Sequence, residues 1–211
     1  NHLKGGWIQY EYLGPGNAAN SSRYRITVRQ YLDYTSSTAQ VDQSINLGIF
    51  NAGTGVLFTR LIVSLSNTEF PIQKEFDPCI NPVPSNPPSY RIDSYETTIE
   101  LPNINVGYTL AVQRCCRIGN IVNVSSGGST TGVTYTTTIS GIINGVDFSR
   151  NNNPSFIQRD TVLLCYNSPF TFDFSATDTD GDSLSYRFVV CKQDKDRAVV
   201  NYEYPHVYDN R

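Results

Sequence analysis

Hydrophobic and polar residues alternate with a period of two along much of the chain. The clearest case lies between residues 23 and 34, where most even positions are apolar and most odd positions are polar. The apolar members are Tyr24, Ile26, Val28, Leu32 and Tyr34. Because successive side chains of a strand point to opposite faces of its sheet, this pattern predicts a long strand with one buried face and one solvated face.

The same alternation recurs in several other segments. It predicts strands within 95–101, 108–112 and 133–139, and shorter strands within 7–13, 44–50 and 57–65. No window of a dozen residues combines helical spacing with helix start and stop signals. Sheets with one apolar face must stack in order to bury it. Residues 1–150 are therefore predicted to form an antiparallel, all-β sandwich domain.

Two proline-containing segments interrupt the alternation. Residues 77–89 contain five prolines, which lack a backbone donor and fix φ, so this segment is predicted to be a loop outside the sheets. The Asn-Asn-Asn-Pro run at 151–154 predicts a domain boundary.

Alternation resumes beyond that boundary and predicts strands within 161–164, 170–174 and 184–190. We expect residues 151–211 to begin a second sandwich of the immunoglobulin or cadherin kind, giving two such domains in tandem. This stretch is shorter than the ~100 residues of a complete immunoglobulin-like sandwich. The second domain is thus expected to be incomplete, and to be finished by further sequence or by a strand from a partner.

Charge and hydropathy exclude several classes of partner. Lys and Arg number 16 against 19 for Asp and Glu, which gives a net charge of −3. A nucleic-acid or anionic membrane surface would call for a basic face, so neither is expected as a partner. No apolar run approaches the ~18 residues of a membrane span, so no direct membrane insertion is expected.

The residue inventory favours an exported protein without catalytic activity. The chain has five Cys, no Met and begins at Asn1, as expected after removal of a secretory signal, and the cysteine content suits an oxidising compartment. An expression fragment trimmed to a domain would begin in the same way. The two His lie near opposite ends, at His2 and His206, and no HExxH, CxxC or GxSxG motif is present. The usual signatures of hydrolases and zinc enzymes are therefore missing.

Three aspartates at alternate positions form the main chemical constellation. Asp178, Asp180 and Asp182 flank Gly181 in a turn between predicted strands. Carboxylates this close repel one another unless a cation or a set of donors is present, and Ca²⁺ prefers oxygen ligands. The spacing differs from an EF-hand loop and is similar to the acidic motifs at cadherin-like junctions. The sequence therefore predicts calcium as a cofactor, the alternative being a solvated Asp-Gly hairpin turn.

Four segments, in this order, carry a family resemblance: HLKGGWIQYEYLG, YRITVRQYLDY, GYTLAVQRCCRIGNIVN and NPSFIQRDTVLLCYNSPFTFDFSATDTDGDSLSYRFVVC. Over nearly its whole length the chain resembles the N-terminal region of large cell-surface proteins of Bacteroidetes. Those proteins are exported by the type 9 secretion system, and many carry a gliding-motility-associated sorting domain. The resemblance implies secretion to the exterior of the outer membrane, a gliding or adhesion role, and motility or secretion subunits as partners.

The cysteines are expected to staple the scaffold rather than to react. Cys165 and Cys191 are the only two beyond residue 150, which predicts a bridge between them. Alternation along the strand from residue 108 places Cys116 inward and Cys115 outward. The resemblance implies that Tyr34 replaces a cysteine of the family. Cys79 is then expected to pair with either Cys115 or Cys116, leaving the other as a free thiol.

Three smaller features bear on sugars. The tripeptides at 160–162 and 182–184 resemble the Asp-hydroxyl-apolar sequence to which Bacteroidetes attach O-glycans, which makes Thr161 and Ser183 candidate glycosylation sites. Trp7 and the many Tyr suit a sugar platform, although packing in the core is favoured. Glu96 and Glu100 share a polar face, where a solvated strand accounts for them better than a glycosidase pair.

These observations lead to one main functional hypothesis and an alternative. The main hypothesis is a non-catalytic cell-surface adhesin segment, acting as the N-terminal stalk or attachment base of a very large protein. The alternative is a lectin-like module that binds surface glycans. An extracellular hydrolase is disfavoured, since no nucleophile or acid has an activating neighbour in the sequence.

Overall fold

The computed structural model describes residues 3–33, 41–70, 90–119, 131–157 and 169–187. Throughout these ranges the regular elements are β-strands, which confirms the predicted all-β class. The long strands are β1 (Leu3–Pro15), β2 (Ser21–Asp33), β3 (Ser44–Asn51), β4 (Leu57–Glu69), β5 (Tyr90–Pro102), β6 (Tyr108–Arg114) and β7 (Val133–Ile139). Two-residue strands follow: β8 (Ile142–Ile143), β9 (Val146–Asp147), β10 (Ser155–Phe156) and β11 (Ala176–Thr177). None of the described residues forms a helix long and apolar enough to span a membrane.

The seven long strands form one antiparallel sheet in the order β1-β2-β5-β4-β3-β6-β7. Strand β4 pairs with a strand of each half of this sheet. Its first part, from Leu57 to Ser64, pairs with β3, and its second part, from Leu65 to Glu69, pairs with β5. A register shift between Leu65 and Asn67 marks the change of partner. Strands that switch partners at such irregularities allow one sheet to fold over as two packed layers.

The two outer strands, β1 and β7, approach each other and nearly close the fold into a barrel. At one end, Leu3 forms a parallel bridge with Arg117, and the Ile118 amide donates to the Leu3 carbonyl at 3.0 Å. Further along, the side chain of Asn153 joins β1 to β7, as described below. These contacts satisfy part of the backbone that β1 would otherwise expose at the edge of the sheet.

The core lies between the two layers and follows the predicted alternation. Its members include Tyr24, Ile26 and Val28 of β2, together with Leu47, Ile49, Tyr95, Leu101 and Leu110. Each of these residues is at most 1 % exposed, and burying such a side chain contributes ~1.5–3 kcal/mol. The even positions of β2 thus face inward, as the sequence predicts.

The strands predicted after residue 150 are not found in the described residues. Over the described residues 169–187 the only strand is β11, so the strands predicted within 170–174 and 184–190 are wrong as far as these residues extend. Alternation alone does not make a strand, because its backbone donors and acceptors also need a neighbouring strand. Phe170, Phe174 and Tyr186 are instead more than half exposed. The predicted loop 77–89 and strand 161–164 lie outside the described residues, and the domain boundary remains a prediction.

Candidate functional site

The acidic loop, residues 178–182, is a tight turn built around one carboxylate. Oδ1 of Asp178 accepts hydrogen bonds from the Asp180 amide at 2.9 Å and from the Asp182 amide at 3.1 Å. Gly181 has a φ of 81°, a left-handed conformation that glycine adopts without steric cost. The turn brings one carboxylate oxygen of each aspartate within 4.8 Å of the others.

This spacing fits a calcium ion. Calcium binds oxygens at ~2.3–2.6 Å, so two ligands of one ion lie up to ~5 Å apart. Asp180 and Asp182 are exposed and Asp178 is half-buried, so water would reach the remaining coordination positions. The three side chains that the sequence singled out are thus brought together with a donor set that suits calcium.

Asp180 has a second role, because it holds Asn152. Its Oδ2 accepts from the Asn152 backbone amide at 2.7 Å, and its Oδ1 accepts from the Asn152 side-chain Nδ2 at 2.9 Å. This two-point contact fixes the acidic loop to the segment that follows the main sheet. A sequence pattern for metal ligands could not reveal it, since the two residues are far apart in the chain.

Asn152 and Asn153 in turn bind the edge of β1. The Tyr12 amide donates to Oδ1 of Asn152 at 2.6 Å, and the Tyr10 amide donates to Oδ1 of Asn153 at 2.8 Å. The Asn153 amide returns a bond to the Tyr10 carbonyl at 3.2 Å, and Thr137 of β7 donates its hydroxyl to the same Oδ1 of Asn153 at 3.0 Å. We call this pair the asparagine clamp. From the sequence these asparagines were interpreted only as a domain boundary, and their contact with β1 was missed.

A groove of about 440 Å³ lies between the β1 edge, the asparagine clamp and the acidic loop. Its lining residues carry amides, hydroxyls and the carboxylates of Glu11 and Asp180, beside two tyrosines. Burial, followed by the neighbouring Tyr24 and the carboxylates of Asp180 and Asp178, raises the pKa of Tyr10 to about 12. The Tyr10 ring packs in the core, and its hydroxyl stays protonated well above neutral pH.

Trp7 lies on the outer face of its sheet, at an odd position of β1, whereas the core tyrosines of that strand occupy even positions. Its indole Nε1 donates to the Tyr31 hydroxyl at 3.2 Å. The Tyr31 ring lies 6.1 Å from that of Tyr90, and the Arg29 guanidinium sits 5.9 Å from the Tyr31 ring centre. For Trp7 the favoured core position is therefore wrong. Tyr10, Tyr24, Tyr95, Tyr108 and Tyr135 do pack in the core.

The two glutamates of β5 make separate, structural contacts. Glu96 lies 3.4 Å from the guanidinium of Arg25. Glu100 accepts from the Ser21 hydroxyl at 2.7 Å and from the Ala18 amide at 2.8 Å. The Ser21 hydrogen bond, followed by backbone bonds from Asn17 and Ala18, lowers the pKa of Glu100 to about 2. A carboxylate held so firmly in its charged form is unsuited to donating a proton near neutral pH.

Three loops meet at one end of the sandwich and expose apolar side chains. The Ala52 amide donates to the Gly107 carbonyl at 3.1 Å, and the Ile142 amide donates to the Asn105 carbonyl at 2.9 Å. The exposed side chains are Val56, Leu57, Phe58, Val106, Ile142, Ile143 and Val146, each at least 41 % exposed. We call this surface the apolar end. Segments 51–58, 103–107 and 141–146, which form it, contain no charged residue.

The structure describes only some of the residues on which the cysteine and glycosylation predictions depend. Cys115 and Cys116 are joined to each other by a disulfide, with Cys116 buried and Cys115 half-buried. Because each cysteine forms only one disulfide, this bond makes the predicted pairing of Cys79 with Cys115 or Cys116, and the free thiol expected at the other, wrong. Cys165 and Cys191 lie outside the described residues, so the bridge between them stays a prediction. Ser183 is exposed in the acidic loop region, and Thr161 lies outside the described residues.

No known protein family, curated protein or solved structure matches this chain. Its function therefore has to be argued from its own residues.

Proposed function

We propose that the chain is a non-catalytic segment of a cell-surface adhesion protein, exported to the exterior of the outer membrane and acting as a stalk or attachment base. Its partners in this proposal are other surface subunits of motility or secretion. The observation that carries the proposal is the apolar end, which offers a surface for a protein partner at one end of the sandwich.

Two properties of the apolar end support a protein contact. Its exposed apolar side chains lie on three loops that are joined by backbone hydrogen bonds, and exposed apolar patches mark interaction sites. Its turns also satisfy their own backbone groups, since Oδ1 of Asn51 accepts from the Gly53 amide at 3.0 Å and from the Thr54 amide at 2.9 Å. A partner can therefore cover these loops without leaving those donors unpaired. The absence of Lys, Arg and Trp there disfavours a bilayer surface.

The proposal is tested in cells that produce the parent protein. Phe58→Asp combined with Val106→Asp places two charges on the apolar end, and we expect cell attachment to a surface to fall. Thr98→Asp, on an exposed position of β5, adds charge elsewhere and serves as the control. Antibody labelling of intact cells measures display independently. Unlabelled cells would contradict surface localisation, and full attachment by labelled double-variant cells would contradict an adhesive role for this end.

A lectin-like module is the second candidate, favoured by the half-buried Trp7 and Tyr90, which both contact the buried Tyr31. Aromatic faces outside the core are suited to stacking on sugars. We expect any glycan binding on an array to disappear in Trp7→Ala and to persist largely in Trp7→Phe. Equal binding by the wild type and Trp7→Ala would rule out this platform.

We also propose calcium as the ligand of the acidic loop. An ion that binds only the folded state stabilises it by RT ln(1 + [L]/Kd), about 2.7 kcal/mol at a hundredfold excess over Kd. We expect EGTA to lower the melting temperature, and Asp182→Asn to abolish the response. Asp182 is preferred to Asp180 for this test because Asp180 also holds Asn152. Identical melting curves with and without EGTA would leave the acidic loop as a hydrogen-bonded turn.

A further inference from the structure

A row of polar residues lies on the inward face of the layer that β1, β2, β5 and the second part of β4 form. The row is at one end of the core. Gln30 of β2 pairs in register with Gly6 of β1 and with Asp93 of β5, and Asp93 pairs with Thr68 of β4. Gln30 and Asp93 are both 0 % exposed. Gln30 lies two residues beyond Val28 on the inward face of β2, so its side chain enters the core rather than the solvent.

Several polar atoms of this row have no hydrogen-bond partner within the described part of the chain. They are Nε2 and Oε1 of Gln30, Oδ2 of Asp93 and the hydroxyl of Tyr135. The other oxygen of Asp93 is well paired, since it accepts from the Thr68 hydroxyl at 2.9 Å and from Nε of Arg91 at 2.6 Å. The unpaired atoms thus include both donors and acceptors.

The Tyr135 hydroxyl reaches the row from the opposite layer. A Cβ atom built on Gly6 would lie 2.8 Å from that hydroxyl, so the tyrosine occupies the place that a side chain at position 6 would take. Gly6 is directly opposite Gln30, and Cβ positions of such pairs are ~4.5–5.5 Å apart. The hydroxyl of Tyr135 is therefore close to the base of the Gln30 side chain.

We propose that ordered water binds in the interior between Gln30, Asp93 and Tyr135. Native interiors pair roughly 90 % or more of their buried polar groups with protein or with water. A buried water makes ~3 hydrogen bonds, both as donor and as acceptor, which matches the mixed set of unpaired atoms. A metal ion fits less well, because the Gln30 amide and the Tyr135 hydroxyl also offer hydrogens and because Arg91 already balances the charge of Asp93.

This hydration site would also fix the strand register. A shift of one residue in β2 would turn Gln30 to the outer face and separate it from both partners. The polar row therefore favours the observed pairing of β2 with β1 and β5 over its nearest alternatives.

The sign of a stability change tests the proposal. Gln30→Met and Tyr135→Phe remove polar atoms with little change of shape. If water binds these atoms, each variant loses a hydrogen bond, and we expect its melting temperature to fall by ~2–4 °C. If the row is dry, each variant removes an unpaired group, and its melting temperature should rise, which would overturn the proposal.

A control and a direct measurement complete the test. Tyr24→Phe removes a buried hydroxyl that donates to the Ser149 carbonyl at 2.6 Å, so its melting temperature should fall in either case. For the wild-type protein, NMR cross-peaks between a long-lived water and the Gln30 side-chain amide would support the site. Their absence from a fully assigned spectrum would overturn it, even if Gln30→Met failed to fold.

Discussion

The asparagine clamp can be tested by truncating one side chain, Asn153→Ala. This removes the acceptor that serves the Tyr10 amide at 2.8 Å and the Thr137 hydroxyl at 3.0 Å. It leaves the strand pairs of β1 with β2 and of β6 with β7 intact. The change therefore isolates the contact by which Asn153 closes the sheet between β1 and β7.

The size of the effect follows from the two hydrogen bonds lost. Each contributes ~0.5–1.5 kcal/mol net, and a partly buried donor left unpaired costs more. We expect the free energy of unfolding to fall by about 2 kcal/mol, which corresponds to ~4–8 °C in melting temperature for a chain of this size. Thermal and guanidinium unfolding, followed by far-UV circular dichroism, measure both quantities.

Two charged variants separate the roles of the neighbouring asparagines. Asn153→Asp keeps an acceptor oxygen toward Tyr10 and Thr137, so it should lose less stability than Asn153→Ala. Asn152→Asp replaces a side-chain donor with a carboxylate facing Asp180, so it should be more destabilising than Asn153→Asp. A free energy of unfolding for Asn153→Ala within about 0.5 kcal/mol of the wild-type value would show that the clamp does not stabilise the fold, because ordinary surface substitutions have effects of that size.

Three further predictions concern charge, packing and bridging. In the folded state the pKa of Glu100 is lowered to about 2. The Glu100 carboxylate therefore stabilises the fold fully above the ordinary pKa of a glutamate, and this stabilisation is lost as the pH falls toward 2. The melting temperatures of the wild type and Glu100→Gln should therefore differ at pH 7 and converge near pH 2, and a constant difference would contradict this assignment. Leu47→Ala, at 0 % exposure, should cost ~2–5 kcal/mol in chemical denaturation, whereas Ile62→Ala, at 72 % exposure, should change stability by less than ~0.5 kcal/mol. Peptide mapping without reduction should recover Cys165 joined to Cys191, and alkylation of both thiols in the folded protein would refute that bridge.

The sequence alone was sufficient for the fold class and for most of the strands of the main sheet. Alternation of apolar and polar residues depends only on the two-residue period of a strand, so it located β2, β5, β6 and β7 and assigned the inward face of β2. The three aspartates of the acidic loop were also found, because they are neighbours in the chain and their turn is local. Beyond residue 150 the same alternation failed, since Phe170 and Phe174 have no neighbouring strand within the described residues.

Tertiary structure decided the contacts between residues distant in sequence. Strand order determines that Asn153 meets Tyr10 and Thr137, and no local pattern distinguishes such an asparagine from a linker residue. Gln30 is likewise a single polar residue on an apolar face. Its role follows only from its register with Asp93 and from the position of Tyr135 across the core. Local periodicity determined which residues could form strands, and long-range pairing and packing determined which polar groups meet, because those contacts form only after the sheet has closed.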